Sequence, residues 1–339
     1  MAQQLASVSY VMPVLNEERY LRAAVLSIFE QRFAGPVEVI LALGPSTDAT
    51  DAIAAELAAN HPVTLVRNPT GTTSAGLNLA IAAAKYDVVV RVDAHSKLNT
   101  GYTQLAVEVL NQTGAANVGG VMKAVGQTPF QKAVAWGYTS RFGLGGGSFH
   151  IGGQAGPSDS VYLGVFRRSV LLELGGFDES VIRGQDWELN ARLRENGKTV
   201  WFDPSLRVGY YPRRDIVSLA KQFFGTGVFR AYILMANPKR TRIKYLVPPT
   251  FIASLLIGLV ALIVSGNWWM LLPGYAYIAL VLFGALTASG LSLKSRIALL
   301  AVLPTMHLSW GAGFWKGIFT FSNRGDDVVL NTAAISVHS

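Results

Sequence analysis

The chain has 339 residues, half of them apolar and 15% charged, with a formal charge of +8 and no cysteine. That length suffices for one large domain or a domain with an appendage, and the lack of cysteine excludes disulfides and thiolate metal sites. The apolar excess is local: no Asp, Glu, Lys or Arg occurs between Lys244 and Lys294 or between Arg296 and Lys316, which leaves room for two membrane spans of about 20 residues and then one more.

The opening stretch, MAQQLASVSYVMPVLNEE, has no basic region followed by an apolar core. No secretory signal is expected, and the front of the chain is expected to stay in the cytoplasm. Ser7–Leu15 reads as a first strand stopped by Pro13, and Asn16-Glu17-Glu18 is expected to open a helix reaching Arg32 with Leu21, Val25, Ile28 and Phe29 on one face. A second strand, Val37–Leu43, runs into Gly44-Pro45-Ser46-Thr47-Asp48, whose polar cluster caps a helix over Ala49–Asn60. Val63–Val66 is a third strand, and Thr73–Ala84 a helix rich in small residues. Strand and helix alternating at this spacing predict an α/β fold with a largely parallel sheet and helices on both faces.

The fourth strand is the stretch KYDVVVRVDAHSKL, Lys85–Leu98, a β-branched run broken off by Asp93-Ala94-His95-Ser96. In an open α/β sheet the carboxyl ends of the strands face the ligand crevice, so this Asp-x-His has the chemistry to hold a divalent cation against a diphosphate. A plain turn former after a strand explains the same Asp. The turns lining such a crevice carry Asn16, Glu17, Asp48, Asn68, Gly76, Asn78, Asp93 and His95.

A helix at Tyr102–Leu110 and a strand at Val118–Val121 follow, and then the regularity fades. Gly143–Gly156 holds seven glycines and no Asp, Glu, Lys or Arg, the composition of a lid or of a plain surface loop. Order returns with a strand at Ser160–Phe166, a helix to Leu174, a Gly175–Glu179 turn and a helix from Gly184 to Glu195. Asp186 and Glu188 stand in that helix's first turn, where the helix dipole alone favours acids.

From Arg213 to Lys244 there are eight Lys or Arg against one Asp, a local charge of +7. Basic charge just before a span marks the cytoplasmic side and attracts anionic lipid headgroups. With spans immediately downstream, membrane lipid is the expected partner and nucleic acid is not. Within this stretch Ile216, Leu219, Phe223, Phe224, Val228, Phe229 and Tyr232 interleave with Lys221, Gln222 and Arg230, as in an interfacial amphipathic helix. Spans are expected at Leu246–Ser265, Trp268–Ser289 and Ile297–Phe319, with Trp268, Trp269, Trp310 and Trp315 as interfacial aromatics. His307, inside the last span, has two readings: facing an acceptor lipid or bonding a neighbouring helix.

Six segments in order resemble one family: VMPVLNEERYL at Val11–Leu21, GPSTDAT at Gly44–Thr50, NPTGTTSAGLNLAI at Asn68–Ile81, VVRVDAHS at Val89–Ser96, VYLGVFRRSVLLELGGFDES at Val161–Ser180 and GQDWELNARLRENG at Gly184–Gly197. The chain resembles the family 2 inverting glycosyltransferases, in their processive-synthase-like branch, and in particular the membrane-anchored enzymes of succinoglycan-type exopolysaccharide synthesis. MHLSWGAGFWKG at Met306–Gly317 is similar to that branch's last membrane segment. The resemblance implies a GT-A fold, a Rossmann-like mixed sheet with helices on both faces, followed by amphipathic interface helices and about three transmembrane helices. It implies a catalytic domain over residues 1–212, interface helices over 213–245, spans over 246–320 and a tail over 321–339.

It further implies a nucleotide-sugar donor, a divalent cation (Mn²⁺ or Mg²⁺) and a membrane-borne acceptor, a lipid-linked glycan. Asp186 matches the catalytic base. Asp93 matches the first acid of the family's Asp-x-Asp, meeting the ribose or the metal, and His95 stands at the second, which tilts the expected metal toward Mn²⁺ because imidazole suits it better than Mg²⁺. Pro13, Val14, Asn16, Glu17, Asp48, Asn68, Gly76 and Asn78 are carried over as donor-binding positions, with Gln222 and Arg230 approaching the diphosphate. Arg230 also reads as a plain contact to lipid phosphate. Two departures stand out: Gln185 replaces the acid that precedes the base, and Leu43 replaces the Asp that commonly bonds the uracil ring. A UDP-sugar remains the expected donor, with Asp48 and the backbone at Pro13 and Val14 in place of that Asp. A polyprenyl-phosphate sugar synthase and a non-catalytic membrane scaffold with the same fold are the other two readings.

Overall fold

The computed structural model describes residues 7–144, 147–181, 184–236, 238, 241 and 243–322. Two glycines of the glycine-rich loop (Gly145, Gly146), three cations of the basic run (Lys239, Arg240, Arg242) and the tail beyond Ser322 lie outside them. The chain forms two compact units: residues 1–123 with 147–210, and residues 124–146 with 211–339. The second unit therefore takes a segment from the middle of the expected catalytic domain.

The first unit runs β1 (Val8–Val14), α1 (Leu21–Phe29), β2 (Val37–Leu43), α2 (Thr50–Asn60), β3 (Val63–Arg67), α3 (Thr73–Ala83), β4 (Val88–Arg91), β5 (Ser96–Leu98), α4 (Tyr102–Thr113) and β6 (Asn117–Ala124). After α5 (Pro129–Thr139) it resumes with α6 (Ser148–Ile151), β7 (Gly156–Pro157), β8 (Tyr162–Arg167), α7 (Arg168–Glu173), α8 (Gln185–Glu195) and β9 (Val200–Tyr210). The strands form one mixed sheet in the order β3-β2-β1-β4-β8-β6-β9-β5, with β7 beside β9. β1, β2, β3 and β4 are parallel, whereas β8 runs antiparallel to β4 and to β6.

Side chains alternate across the sheet as the strand period requires. Val8, Tyr10, Met12 and Val14 of β1 enter a core layer with α1, α2 and α4, and Val11 enters the opposite layer with α3, α7 and α8. β1 lies between β2 and β4, so chain direction across the sheet reverses beside it. The crevice of a parallel sheet opens at such a switch point, beyond the carboxyl ends of its strands.

Three local differences from the sequence expectation have physical causes. α1 starts at Leu21 instead of Asn16, because Asn16 takes a positive φ of 55° and residues 16–18 bond across to the loop after β2. The region where regularity faded contains α5, which carries a capping box between Thr128 and Gln131 with Pro at its first position. β9, eleven residues with alternating burial, was hidden by Asp203, Pro204 and Gly209, residues that ordinarily depress strand propensity.

The second unit contains α5, α9 (Ile216–Ala236), a 3₁₀ turn at Ile243–Leu246, α10 (Val247–Ser265), a 3₁₀ turn at Trp268–Leu271, α11 (Leu272–Thr287) and α12 (Leu293–Ser322). Among the described residues, three segments are long and apolar enough to cross a membrane: Ile243–Ser265, Trp268–Thr287 and Leu293–Ser322. Within the basic stretch, Ile216–Ala236 forms one long helix, α9. It packs on α12 through missing side chains: a Cβ on Gly227 would overlap the Trp310 carbonyl oxygen, and one on Gly313 would overlap that of Phe224. Backbones this close gain van der Waals contact that larger residues would forbid. Gly227→Val is expected to cost about 1–3 kcal/mol through overpacking. The measurement is the thermal midpoint of the detergent-solubilised chain, with the exposed Val217→Ala as a control that leaves it unchanged.

Candidate active site

Arg91 is the last residue of β4 and is 4% exposed. It shares strand parity with Val89, so it points into the α3/α8 layer, where its guanidinium lies 5.8 Å from the Phe177 ring centroid. A buried guanidinium needs carboxylates, and it has two. Its Nη2 and Nε donate to Asp93 Oδ1 at 3.0 and 3.3 Å, and its Nη1 donates to Asp186 Oδ1. The strand-end acid and the helix-start acid, remote in sequence, thus meet on one cation.

Asp186 sits in the first turn of α8 behind Gly184, which takes the left-handed conformation needed there (φ 73°). Burial raises the Asp186 carboxyl above its ordinary range; Arg91 opposes this and the charge of Asp93 adds to it. The same two carboxylates hold the Arg91 guanidinium above its usual value in spite of burial. Tyr162, on β8, faces the cluster, and its phenol is raised well above the usual value by burial first and by Asp93 second. Its hydroxyl lies 3.4 Å from Ser96 Oγ. Neither Arg91 nor Tyr162 was expected from sequence. For Arg91 a signal existed, since a charge inside a β-branched run demands a partner; Tyr162 offered none.

Across the switch point, Glu17 Oε1 lies 2.8 Å from His95 Nδ1. A carboxylate on one imidazole nitrogen is the arrangement that orients a ligand histidine through the other. Among the described residues no three His, Asp or Glu side chains form a metal cage. The donor set of Asp93 and His95 fits a cation that takes its remaining ligands from diphosphate oxygens and water. The charges point the same way: Asp93, Asp186 and Glu17 outnumber Arg91, so a diphosphate would meet net negative charge without a cation.

The remaining expected residues are placed as follows. Pro13 and Val14 end β1, in register with Ala42 and Leu43. Asn16 accepts from the Thr47 N–H at 2.8 Å, and the Glu17 N–H donates to Thr50 Oγ1 at 2.7 Å. Asp48 accepts from the Glu18 and Thr50 N–H groups and is held below the usual carboxylate range, chiefly by its hydrogen bond with the Thr50 side chain. This loop is a rigid rim after β1 and β2. Leu43 is buried in the core, with no polar atom to offer a base.

Asn68, 2% exposed, donates to the Thr72 carbonyl and accepts from the Thr70 hydroxyl. A Cβ on Gly76 would come within 2.8 Å of Asn68 Nδ2 and 3.2 Å of Pro13 Cβ, so Gly76 lets α3 seat against both. Asn78 donates to the Phe177 carbonyl and to Glu179, and accepts from the Phe177 N–H, which pins the turn before α8. Gln222 and Arg230 belong to the second unit. There Gln222 Oε1 accepts from the Tyr138 hydroxyl at 3.3 Å, and the Arg230 guanidinium stacks 3.9 Å from the Tyr245 ring centroid.

Residues 9–175 match the model of glycosyl transferase family 2. The chain is 32% identical over 319 residues to the succinoglycan biosynthesis protein ExoA of Rhizobium meliloti (strain 1021), covering 93% of this chain and 96% of that protein. It is 25% identical over 325 residues to a Methanococcus voltae transferase, dolichyl N-acetyl-alpha-D-glucosaminyl phosphate 3-beta-D-2,3-diacetamido-2,3-dideoxy-beta-D-glucuronosyltransferase, covering 92% and 97% of the two chains. Among solved structures, the mannosyltransferase PcManGT from Pyrobaculum calidifontis, in complex with GDP-Man and Mn²⁺, is similar at TM-score 0.57 and 20% identity, covering 94% of this chain and 88% of that one. S. aureus TarS 1–349, in complex with UDP, is similar at TM-score 0.50 and 13% identity, covering 94% and 91%. The fold is that of a GT-A glycosyltransferase, and this chain belongs to glycosyl transferase family 2.

Because the Asn78 amide is bonded to the Phe177–Glu179 turn, Asn78→Ala is expected to cost about 1–3 kcal/mol of stability by leaving that turn unsatisfied. Chemical denaturation measures this. Unchanged stability with weakened binding of a nucleotide-sugar would make Asn78 a donor contact instead.

Proposed function

We propose that this chain is an inverting glycosyltransferase of exopolysaccharide or cell-envelope synthesis. It takes a sugar from a cytosolic nucleotide-sugar, a UDP-sugar, and places it on a hydroxyl of a lipid-linked glycan at the cytoplasmic face of the cell membrane. The observation that carries this reading is the Arg91 clasp, which brings Asp186 beside Asp93 beyond the end of β4. The names of the succinoglycan protein and of the transferase acting on a dolichyl phosphate-linked sugar support the pathway and the acceptor class. UDP in one structural neighbour and GDP-Man with Mn²⁺ in the other support a nucleoside diphosphate donor and a cation.

In this mechanism Asp186 takes the proton of the acceptor hydroxyl as its oxygen bonds to the anomeric carbon. The bond from that carbon to the diphosphate oxygen breaks, and the electron pair leaves with the nucleoside diphosphate. A carboxylate whose pKa is raised is the better base, provided that it is ionised at working pH, and Arg91 limits the rise while fixing the direction of the carboxylate. Asp93 and His95 would hold a divalent cation, which when bound would neutralise the diphosphate. Glu17 orients His95, and the rim from Asn16 to Thr50 shapes the donor end of the crevice.

Asp186→Asn is expected to lower kcat by about a hundred- to ten-thousand-fold while donor affinity is kept, read from transfer assays beside calorimetric binding. A mild loss would instead indicate a phosphate acceptor, which needs little base assistance. The base must be deprotonated, so activity should rise with pH on an acidic limb above the usual Asp range. Arg91→Gln should move that limb further up, because the charge that opposes the rise is gone; a pH–rate profile of both proteins tests the sign. A chelator should abolish transfer, with Mn²⁺ or Mg²⁺ restoring it in the parent but not in Asp93→Ala; full activity in chelator would remove the cation from the scheme.

A further inference from the structure

The second unit carries a half-open pocket of about 640 Å³. Helices α9, α10, α11 and α12, the 3₁₀ turn at Ile243–Leu246 and the Arg141–Leu144 segment after α5 line it. A concave, mainly apolar space of this size is the usual form of a ligand site. Six of its lining residues are aromatic: Phe142, Phe223, Tyr245, Phe251, Tyr277 and Trp310.

The histidine in the wall is already matched. His307 Nε2 lies 3.3 Å from the Gly143 carbonyl, which can only accept, so Nε2 carries the proton and Nδ1 accepts from the Tyr277 hydroxyl at 2.9 Å. What the lining offers a ligand is apolar surface, the buried Trp310 indole N–H that no acceptor among the described residues meets, and two cations, Arg141 and Lys244, with no carboxylate among the lining residues. Both cations are exposed, and Lys244 stands at the start of the Ile243–Ser265 span, where lipid phosphates lie. An apolar chain with a phosphate at one end matches this distribution; a neutral lipid leaves the cations unmet.

A bulk phospholipid already finds apolar contact on the outer faces of the spans, where Ile257, Val260, Ile263 and Leu286 are exposed, and it needs no shaped pocket. We propose that the pocket binds the isoprenoid phosphate portion of the lipid-linked acceptor, its prenyl chain against the aromatic wall and its phosphate at Arg141 and Lys244. This deepens the functional reading given above and rests on it for the identity of the lipid.

The test uses the full chain in phosphatidylcholine nanodiscs with a diazirine-bearing polyprenyl phosphate as probe and peptide mapping of the photoadducts. Adducts are expected on Phe142, Phe251 or Tyr277, and unlabelled undecaprenyl phosphate should compete where a tenfold excess of phosphatidylglycerol does not. Arg141→Gln with Lys244→Gln should reduce labelling about tenfold, and Leu280→Trp, which fills the pocket, should reduce it as far. Hydrolysis of the nucleotide-sugar in water reports that each variant is folded, and the exposed Gln pair covers the case in which the Trp variant is not. Adducts confined to outer faces of the spans, labelling unchanged by the Gln pair, or equal competition by phosphatidylglycerol would each overturn the proposal. If the parent chain labels as expected but hydrolyses no nucleotide-sugar, the transferase reading fails and the lipid site stands.

Discussion

One buried guanidinium organises the catalytic unit. Arg91 is charged inside a core, and such a charge persists only with carboxylates around it; removing one partner of a buried pair typically costs about 3–5 kcal/mol. Asp93 and Asp186 meet that demand, and the demand in turn fixes where they stand. β4 delivers Arg91 and Asp93 on one face because they are two residues apart, and α8 is drawn to the same point by Asp186. The helix reaches it because Asn78 and Gly176 hold the preceding turn against α3. Sheet, turn and helix all bear on a single cation.

This arrangement gives two chemically identical side chains different environments. Asp93 carries two of the guanidinium's N–H bonds and follows directly on the strand. Asp186 holds one and sits where burial raises its carboxyl. Burial therefore sets the Asp186 carboxyl apart by its surroundings and not by its chemistry.

Much of the fold was legible in the sequence, because β1, β2 and β4 are buried, largely apolar runs and helix-length segments separate the strands. Asp93 and His95 stood out because they break off a regular strand, whereas Asp186 was marked by the family resemblance, since the helix dipole alone favours an acid in its position. What stayed hidden depended on contacts distant in sequence. Arg91 looked like one more residue of a strand, and its role appears only when α8 is placed beside it. Asn68, Gly76 and Asn78 were legible as a motif, and the structure adds that they shape a turn, allow close packing and pin a loop. β9 was masked by local propensity that pairing with β5 and β7 overrides. The long basic helix α9 showed its apolar residues in the sequence; which surface they cover was set by glycines on α12 that no periodicity announces.

The order in which the chain visits the two units bears on how the protein can be cut. Residues 124–146 leave the catalytic unit, join the membrane unit and return, and Gly137 within them packs against Met306 of α12. A truncation at the Tyr210/Tyr211 division would therefore not release a self-contained soluble enzyme. It would strand α5, with its buried Ala133, Val134 and Tyr138, as an apolar flap without its seat. The natural seam of this enzyme is a pair of internal junctions together with one cut, and a soluble version needs the 124–146 excursion replaced by a short polar link.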